Sequence, residues 1–227
     1  MIKHNISAVI PVKGSSSRLE NKNILPFADS NLLVHKIRQL KKVDYLSEII
    51  VSSDSDIMLE MAETEGVRAV KRPKKYADES QPFGVFLEYI CDIIKGEHLM
   101  WACCTSPIVD TDLYKKAIDT YEDALTKGFD SLITVLPYQH FLLDEHGPMN
   151  FSRGLKHVNS QDLPRYYNFT NGIILSEKKN VQVWKYHFGP NVYKLEVSQP
   201  EAIDIDTYWD YVIAKAFYDE LSKSRNI

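Results

Sequence analysis

Residues 6–23, ISAVIPVKGSSSRLENKN, join a compact apolar run to a long polar loop. The apolar run, residues 6–12, is typical of a short strand that is buried on both faces of a parallel sheet. The loop that follows, residues 13–23, contains one glycine, three serines and three basic side chains. A buried strand that ends in such a loop predicts the first unit of an α/β fold.

The same alternation of strand and helix patterns continues as far as residue 136. Leu33, Ile37 and Leu40 have the i, i+4, i+7 spacing of an apolar helix face. Strands that alternate with helices form right-handed crossovers, so the sequence predicts a Rossmann-like, mostly parallel sheet flanked by helices. The predicted strands after the first are residues 48–53, 67–71, 98–104 and 131–136.

The alternation is interrupted at residues 137–170, which are rich in proline, aromatic residues and histidine. We interpret this stretch as an insertion, either a small subdomain or an oligomerisation arm. The α/β domain would then consist of residues 1–136 and 171–227, with further strands predicted at residues 171–175 and 202–206.

A terminal helix is predicted after residue 206. Thr207 and Asp210 have the spacing of a capping box, which satisfies free backbone amides at a helix start. Four positions at helical spacing are predicted to form its inner face: Tyr211, Ala214, Tyr218 and Leu221.

The composition excludes several classes of protein. The 227 residues carry 27 basic and 31 acidic side chains, and a net charge of −4 argues against a general nucleic-acid-binding protein. Cys91, Cys103 and Cys104 form neither a disulfide framework nor a zinc-binding pattern, so a reducing, cytoplasmic location is expected. The apolar runs are too short to cross a membrane. A local basic pocket for one anionic small molecule remains compatible with this charge.

Polar segments follow several of the predicted strands: residues 13–23, 53–54, 72–81 and 105–107. Ligands of parallel sheets bind beyond the carboxyl ends of the strands, so these segments are expected to meet at one edge. In the first of them, Lys13, Arg18 and Lys22 with exposed amides could bind a polyphosphate. The loop lacks both the Walker A and the G-x-G-x-x-G pattern, and a solvated surface loop is an equally good interpretation.

Asp204 and Asp206 alternate along a predicted strand, which places their Cα atoms about 6.6 Å apart on one face. Two carboxylates in this arrangement could bind one Mg²⁺, which takes water and substrate phosphates as its other ligands. The alternative for Asp206 is the N-cap of the terminal helix, a role that Thr207 can fill instead. Asp204 stands between two isoleucines and needs a cation or hydrogen-bond donors if it is buried.

The remaining candidates have ordinary alternatives. Arg72 could lie in a surface turn, and Thr105 could cap the helix that follows it. Arg165 could bind a substrate carboxylate through two hydrogen bonds or be a surface arginine. Cys103 and Cys104 follow an apolar strand and are interpreted as packing residues, and no pattern indicates covalent catalysis.

Six short segments occur in a fixed order along the chain: IPVKGSSSRLENKN at residues 10–23, VSSD at 51–54, RPKKYADE at 72–79, CCTSPIV at 103–109, QDLPRYYNFTNG at 161–172 and AIDIDTYWD at 202–210. In this order they resemble the acylneuraminate cytidylyltransferase family, also called CMP-sialic acid synthetases. The resemblance covers nearly the whole chain.

The chain departs from the family's usual pattern at several positions. Lys13 replaces an arginine, Ser17 a lysine, Glu79 an aspartate, Cys103 a glutamine and Val109 an arginine. One extra residue separates Pro164 from Asn171. Cys103 and this insertion leave the identity of the sugar open. Residues 16–19, SSRL, are also similar to the related Kdo cytidylyltransferases.

The resemblance implies a reaction in which CTP and an acidic 2-keto-3-deoxy sugar give a CMP-sugar and pyrophosphate. The sugar would be N-acetylneuraminate or a related nonulosonate. The alternatives are a Kdo cytidylyltransferase and a non-catalytic homologue that binds nucleotide sugars. Family members are typically homodimers formed through the inserted arm, which implies the same assembly here.

The resemblance also implies roles for particular residues. Mg²⁺, or Mn²⁺ in its place, would bind Asp204 and Asp206. Catalysis would depend on Lys13, Arg18, Lys22 and Asp206. The implied CTP-binding residues are Lys13, Gly14, Ser16, Arg18, Lys22, Asn23, Arg72, Ser80 and Gln81, and the implied sugar-binding residues are Cys103, Thr105, Gln161, Arg165 and Asn171.

Overall fold

The computed structural model describes residues 5–16, 18–77 and 81–225, and its central feature is a seven-stranded sheet. The strands are β1 (Ile6–Pro11), β2 (Leu46–Ser53), β3 (Arg68–Lys71), β4 (His98–Ala102), β5 (Ser131–Tyr138), β6 (Tyr166–Glu177) and β7 (Val192–Glu196). They lie in the order β7-β5-β6-β4-β1-β2-β3. Strand β6 runs antiparallel to β4 and β5, and the other neighbouring pairs are parallel. The predicted Rossmann-like, mostly parallel sheet is therefore confirmed.

Helices cover both faces of this sheet. They are α1 (Leu32–Leu40), α2 (Asp56–Thr64), α3 (Phe83–Ile93), α4 (Thr111–Thr126), α5 (Lys178–Trp184) and α6 (Tyr208–Arg225). Successive side chains of β1 point to opposite faces, so Ala8 packs in a cluster with α1, α2 and α4, while Val9 packs in a cluster with α3 and α5. Both faces are buried, which explains why β1 is apolar apart from Ser7.

The prediction of a strand at residues 202–206 is wrong. This segment, hereafter the strap, lies outside the sheet and bonds to the loop after β4, where the Ile205 amide donates to the Thr105 carbonyl at 2.8 Å. No predicted element corresponds to α5 or β7, and β6 begins well before residue 171. The early part of β6 is exposed and paired with the end of β5, so it lacks the continuous apolar run that identified the other strands.

The capping box at the start of α6 is confirmed. The Thr207 amide donates to Asp210 Oδ2 at 2.8 Å, and the Asp210 amide donates to Thr207 Oγ1 at 3.3 Å. Ala214 is buried, as predicted, and Tyr211 and Tyr218 are half-buried. Leu221 is exposed, and the prediction for it is wrong because only the first turns of α6 pack closely on the domain.

The inserted segment extends β5 and β6 away from the rest of the sheet. Tyr138 pairs with Tyr166 at the end of the two strands, and residues 139–165 connect them. This connection, hereafter the arm, contains a small hairpin and two 3₁₀ turns. Phe141, Leu143 and Leu155 in the arm are exposed. The division into an α/β domain and a dimerisation arm stays a prediction.

Candidate active site

The polar segments meet at the carboxyl edge of β1, β2, β3 and β4. The Gly14 amide donates to Asp54 Oδ1 at 2.8 Å, which ties the loop after β1 to the end of β2. Arg72 Nη2 donates to the Ser52 carbonyl at 2.5 Å and connects β3 to the same edge. These bonds bring the predicted phosphate loop and the segment after β3 together.

Asn23 connects the same loop to the end of β4. It is buried, its Nδ2 donates to the Lys13 carbonyl at 2.9 Å, and its Oδ1 accepts a hydrogen bond from Cys104 Sγ at 3.3 Å. Both ends of its amide therefore stabilise the loop. Ser16 in this loop is half-buried, whereas Ser17 lies outside the described residues.

A cluster of opposite charges forms where this loop meets the strap. Lys22 Nζ lies 2.9 Å from Asp206 Oδ1, and the Arg18 guanidinium bonds both oxygens of the same carboxylate, at 2.9 Å and 2.8 Å. The Lys22 side chain is only 15% exposed, whereas that of Arg18 is 63% exposed, so the Lys22 charge is the less screened by solvent. Because Thr207 caps α6, the alternative of an N-cap role for Asp206 is wrong.

Asp204 lies on the other side of Ile205 and is more deeply buried than Asp206. Its Oδ1 has no hydrogen-bond partner among the described residues. Burial, reinforced by the negative charge of Asp206, raises the pKa of Asp204, while hydrogen bonding by Thr105 and the charge of Lys22 act in the opposite direction. A buried, unpartnered carboxylate oxygen beside a second carboxylate fits a hard divalent cation such as Mg²⁺.

A pocket of about 290 Å³ adjoins the loop after β1. Its cationic groups are Lys13 and Arg72. Arg72 is buried, its guanidinium lies 4.5 Å from the centre of the Phe86 ring, and burial lowers its pKa to about 10. Gln81 lines the pocket, and its aromatic lining is Tyr76, Phe83 and Phe86. Ring walls with a few polar groups suit a planar, polar ligand such as a nucleobase. Ser80, also predicted here, lies outside the described residues, as does Glu79.

Two of the predicted sugar-binding residues follow β4 directly. Cys103 is half-buried, and burial raises the pKa of its thiol to about 12, as it does for Cys104. Both cysteines are therefore neutral at physiological pH, in agreement with their interpretation as packing residues. Thr105 joins them to the strap through its carbonyl group.

Asn171 lies in a bulge of β6, and its neighbour Gly172 approaches the loop after β4. The φ angle of Asn171 is 53°, in the left-handed region, and the register of β6 shifts between Phe169 and Ile174. A Cβ atom on Gly172 would lie 3.1 Å from Val109 Cγ2, so the close approach of β6 to the loop favours glycine there.

Arg165 and Gln161 lie apart from this cluster, at the base of the arm. Arg165 Nη2 donates to Glu196 Oε2 at 2.7 Å, and its guanidinium lies 5.5 Å from the centre of the Tyr167 ring. The Gln161 carbonyl accepts a hydrogen bond from Gln139 Nε2 at 2.8 Å. Within the described part of the chain, no hydrogen bond or ion pair joins either residue to Asp204 or Asp206.

Comparison with known proteins assigns this arrangement to a family. Residues 7–182 match the sequence profile of the family described as cytidylyltransferase. The chain belongs to the cytidylyltransferase family. It is a nucleotidyltransferase, and its predicted likeness to the acylneuraminate cytidylyltransferases is confirmed.

Individual relatives of this cytidylyltransferase are similar over most of its length. It is 25% identical over 220 residues to the pseudaminic acid cytidylyltransferase of Campylobacter jejuni subsp. jejuni serotype O:2, covering 92% of this chain and 94% of the relative. It is 23% identical over 225 residues to the N-acylneuraminate cytidylyltransferase of Streptococcus agalactiae serotype III, covering 93% of this chain and 53% of that longer protein.

Among solved structures, the cytidylyltransferase shares its fold with a CMP:2-keto-3-deoxy-manno-octonic acid synthetase complexed with CTP. The TM-score is 0.68 at 12% identity, and the match covers 95% of this chain and 99% of the other. At this identity the likeness concerns the fold alone.

Sequence reasoning missed some residues of the site. Tyr76 and Phe86 form pocket walls, but in the sequence they look like ordinary loop and helix residues. The burial of Lys36 could have been predicted from the sequence, because Lys36 lies at helical spacing from Leu33 and Leu40 on the apolar face of α1. A lysine on such a face is either buried with partners or evidence against the helix.

None of the helices in the described residues combines the length and the apolar character that are needed to cross a membrane.

Proposed function

We propose that this protein transfers a cytidylyl group from CTP to the anomeric hydroxyl of an acidic nonulosonate and releases pyrophosphate. The observation that carries the proposal is that the loop after β1 lines an aromatic-walled pocket through Lys13 and meets the Asp204–Asp206 segment through Lys22 and Arg18. The cations suit a triphosphate, and the carboxylates suit the divalent ion that accompanies it. The names of the relatives support nonulosonates as substrates.

CTP would bind along the loop after β1. Its base would enter the pocket beside the stacked Arg72 and Phe86 side chains, with Gln81 available for hydrogen bonds to the edge of the base. Asn23 would act by keeping the loop on the end of β4 rather than by touching the base. The phosphates would extend from Lys13 and Gly14 towards Lys22 and Arg18.

The reaction would be an in-line displacement at the α-phosphorus. A bond forms between the anomeric oxygen and phosphorus, the bond from this phosphorus to the bridging oxygen breaks, and pyrophosphate leaves as the hydroxyl proton passes to solvent. Lys22 and Arg18 would stabilise the charge that accumulates on the phosphoryl oxygens. Asp204 and Asp206 would hold Mg²⁺ or Mn²⁺, which supplies charge neutralisation and orientation when bound.

The sugar would lie between the strap and the bulge of β6, near Cys103, Thr105 and Asn171. Arg165 and Gln161 belong to the arm and are hydrogen-bonded to Glu196 and Gln139, so they would complete the sugar site of their own chain only if these contacts changed.

We propose that the protein is a homodimer formed through the arm, in which these residues approach the active site of the second copy. The exposed apolar side chains of the arm support this assembly. Three free cysteines suit a cytoplasmic enzyme.

The test is pyrophosphate release with CTP and Mg²⁺ against N-acetylneuraminate, its deaminated analogue, legionaminate, pseudaminate and Kdo. UTP and ATP serve as nucleotide controls. We expect release with CTP and a nonulosonate. Release with Kdo alone would favour the second candidate, which is supported by the similarity of residues 16–19 to the Kdo cytidylyltransferases. No release with any sugar, together with binding of CTP, would indicate the non-catalytic alternative.

A further inference from the structure

Lys36 lies in the middle of α1, and its side chain is completely buried. Leu33, Ile37 and Leu40 of the same helix pack in the hydrophobic cluster on that face of the sheet. Burying an ammonium group costs free energy unless it is well hydrogen-bonded. The contacts of Lys36 are therefore informative about its role.

The Lys36 ammonium group closes a turn in the loop after β4. Nζ donates to the Ser106 carbonyl at 3.0 Å and to the Val109 carbonyl at 2.8 Å, and it lies 4.9 Å from the centre of the Tyr114 ring. The two carbonyl groups mark the beginning and the end of residues 106–109. Gln39, one turn later on α1, bonds only the middle of this turn, through Nε2 and the Pro107 carbonyl at 2.9 Å.

Residues 105–108 also contact the strap. The Thr105 carbonyl accepts the Ile205 amide at 2.8 Å, and Ile108 packs with Ile205 in a small buried cluster. Ile205 stands between Asp204 and Asp206. Because the strap belongs to no sheet, these contacts help to determine where the two carboxylates lie, together with the ion pairs of Asp206.

We propose that Lys36 is a positioning residue for the pair of carboxylates. Its ammonium group holds residues 106–109 closed, and this turn fixes the strap that presents Asp204 and Asp206 to a divalent ion bound with the nucleotide. The inference rests on the proposed function. Lys36 itself contacts neither carboxylate and acts through Thr105 and Ile108.

The test compares K36M, which keeps an unbranched apolar side chain but removes the donors, with Q39L, which removes a hydrogen bond to the same turn at Pro107. The Mn²⁺ affinity of each protein is measured by electron paramagnetic resonance in the presence of CTP. The CTP affinity is measured by calorimetry without metal. We expect K36M to weaken Mn²⁺ binding by about 10-fold or more, the usual effect of losing a group that orients metal ligands. Its metal-free CTP affinity, and both affinities of Q39L, should equal those of the wild type.

Two results would overturn the role of Lys36 and leave the proposed function intact. One is a K36M protein with wild-type Mn²⁺ affinity. The other is a K36M protein that loses metal-free CTP binding to the same extent, because that indicates general loosening. A wild-type protein that binds CTP but no Mn²⁺ would overturn both proposals. If K36M does not fold, K36Q is measured in the same way: its shorter amide cannot reach both carbonyl groups, and an unchanged Mn²⁺ affinity would again overturn the inference.

Discussion

Lys22 Nζ and Asp206 Oδ1 are 2.9 Å apart, at the point where the loop after β1 meets the strap before α6. They are 184 residues apart in the sequence, so this contact exists only because the sheet brings the two segments to one edge. In this contact the cation neutralises the carboxylate. A triphosphate with its divalent ion offers each of them a new partner, an anion for Lys22 and a cation for Asp206. In the proposed function, this ion pair would be exchanged for those two partners when the substrate binds.

The first prediction concerns Asp206. The D206N change keeps the shape of the side chain but removes the charge, so turnover should fall by at least about 100-fold, the scale of losing one electrostatic stabiliser. Steady-state pyrophosphate release measures the effect. D219N, on an exposed part of α6, is the matched control and should have wild-type turnover. A D206N enzyme with near-wild-type turnover would disprove the metal-binding role.

The second prediction concerns the phosphates. K22A removes a largely buried cation and should weaken CTP binding by about 10- to 100-fold, as expected for the loss of a charge-assisted hydrogen bond. R18A should have a smaller effect because the Arg18 side chain is 63% exposed. Calorimetric titration with CTP compares them with K223A, an exposed lysine on α6. If R18A weakened CTP binding more than K22A, the conclusion that Lys22 contributes more than Arg18 would be incorrect.

The third prediction concerns the arm. Leu155 is fully exposed in the single chain, and L155D should therefore convert a dimer into monomers by placing a charge in the interface. Sedimentation velocity measures the assembly. V183D, which alters an exposed apolar residue of α5 away from the arm, should leave the dimer unchanged. A wild-type protein that sediments as a monomer would refute the proposed role of the arm.

The fourth prediction concerns stability in acid. His187 packs among the rings of Phe83, Trp101 and Phe188, and neither ring nitrogen has a hydrogen-bond partner among the described residues. Burial lowers the pKa of His187 to about 4, whereas the unfolded chain has a pKa of about 6.5 at this residue. The unfolded state therefore binds the proton first as the pH falls. The free energy of unfolding should decrease between pH 6.5 and 4, by up to about 1.4 kcal/mol per pH unit from this residue.

Urea denaturation at several pH values tests the contribution of His187. H187F should make the decrease below pH 6.5 less steep, whereas H146Q, which changes an exposed histidine, should not. If the wild type and H187F lost stability in parallel as the pH falls, another group would be responsible for the acid sensitivity.

The central elements of the fold could be predicted from the sequence because each carries its own signal. Strand β1 is apolar on both faces, and α1 has a regular apolar stripe. Thr207 and Asp210 mark the start of α6 by their spacing alone. By contrast, β6 has an exposed first half, and the strap alternates apolar and acidic residues without belonging to a sheet. Local pattern does not distinguish an extended segment that pairs with a loop from one that pairs with a strand.

The candidate site was predictable only in part, for a related reason. Asp204, Asp206 and Lys22 are conspicuous because charged residues next to apolar strands need partners. The pairing of Lys22 with Asp206, the stacking of Arg72 on Phe86 and the burial of Lys36 are long-range contacts, which depend on how the elements pack. The position of Arg165 beside Glu196 likewise follows from the pairing of β5 with β7.

The measurement that tests the account most directly is a crystal structure of the protein with CTP and Mn²⁺, whose anomalous scattering identifies the metal. The account predicts a Mn²⁺ peak bound by Asp204 and Asp206, triphosphate oxygens within hydrogen-bond distance of Lys22, and the cytosine ring beside Arg72 and Phe86. Metal bound elsewhere, or a triphosphate that leaves the ion pair of Lys22 and Asp206 unchanged, would contradict it.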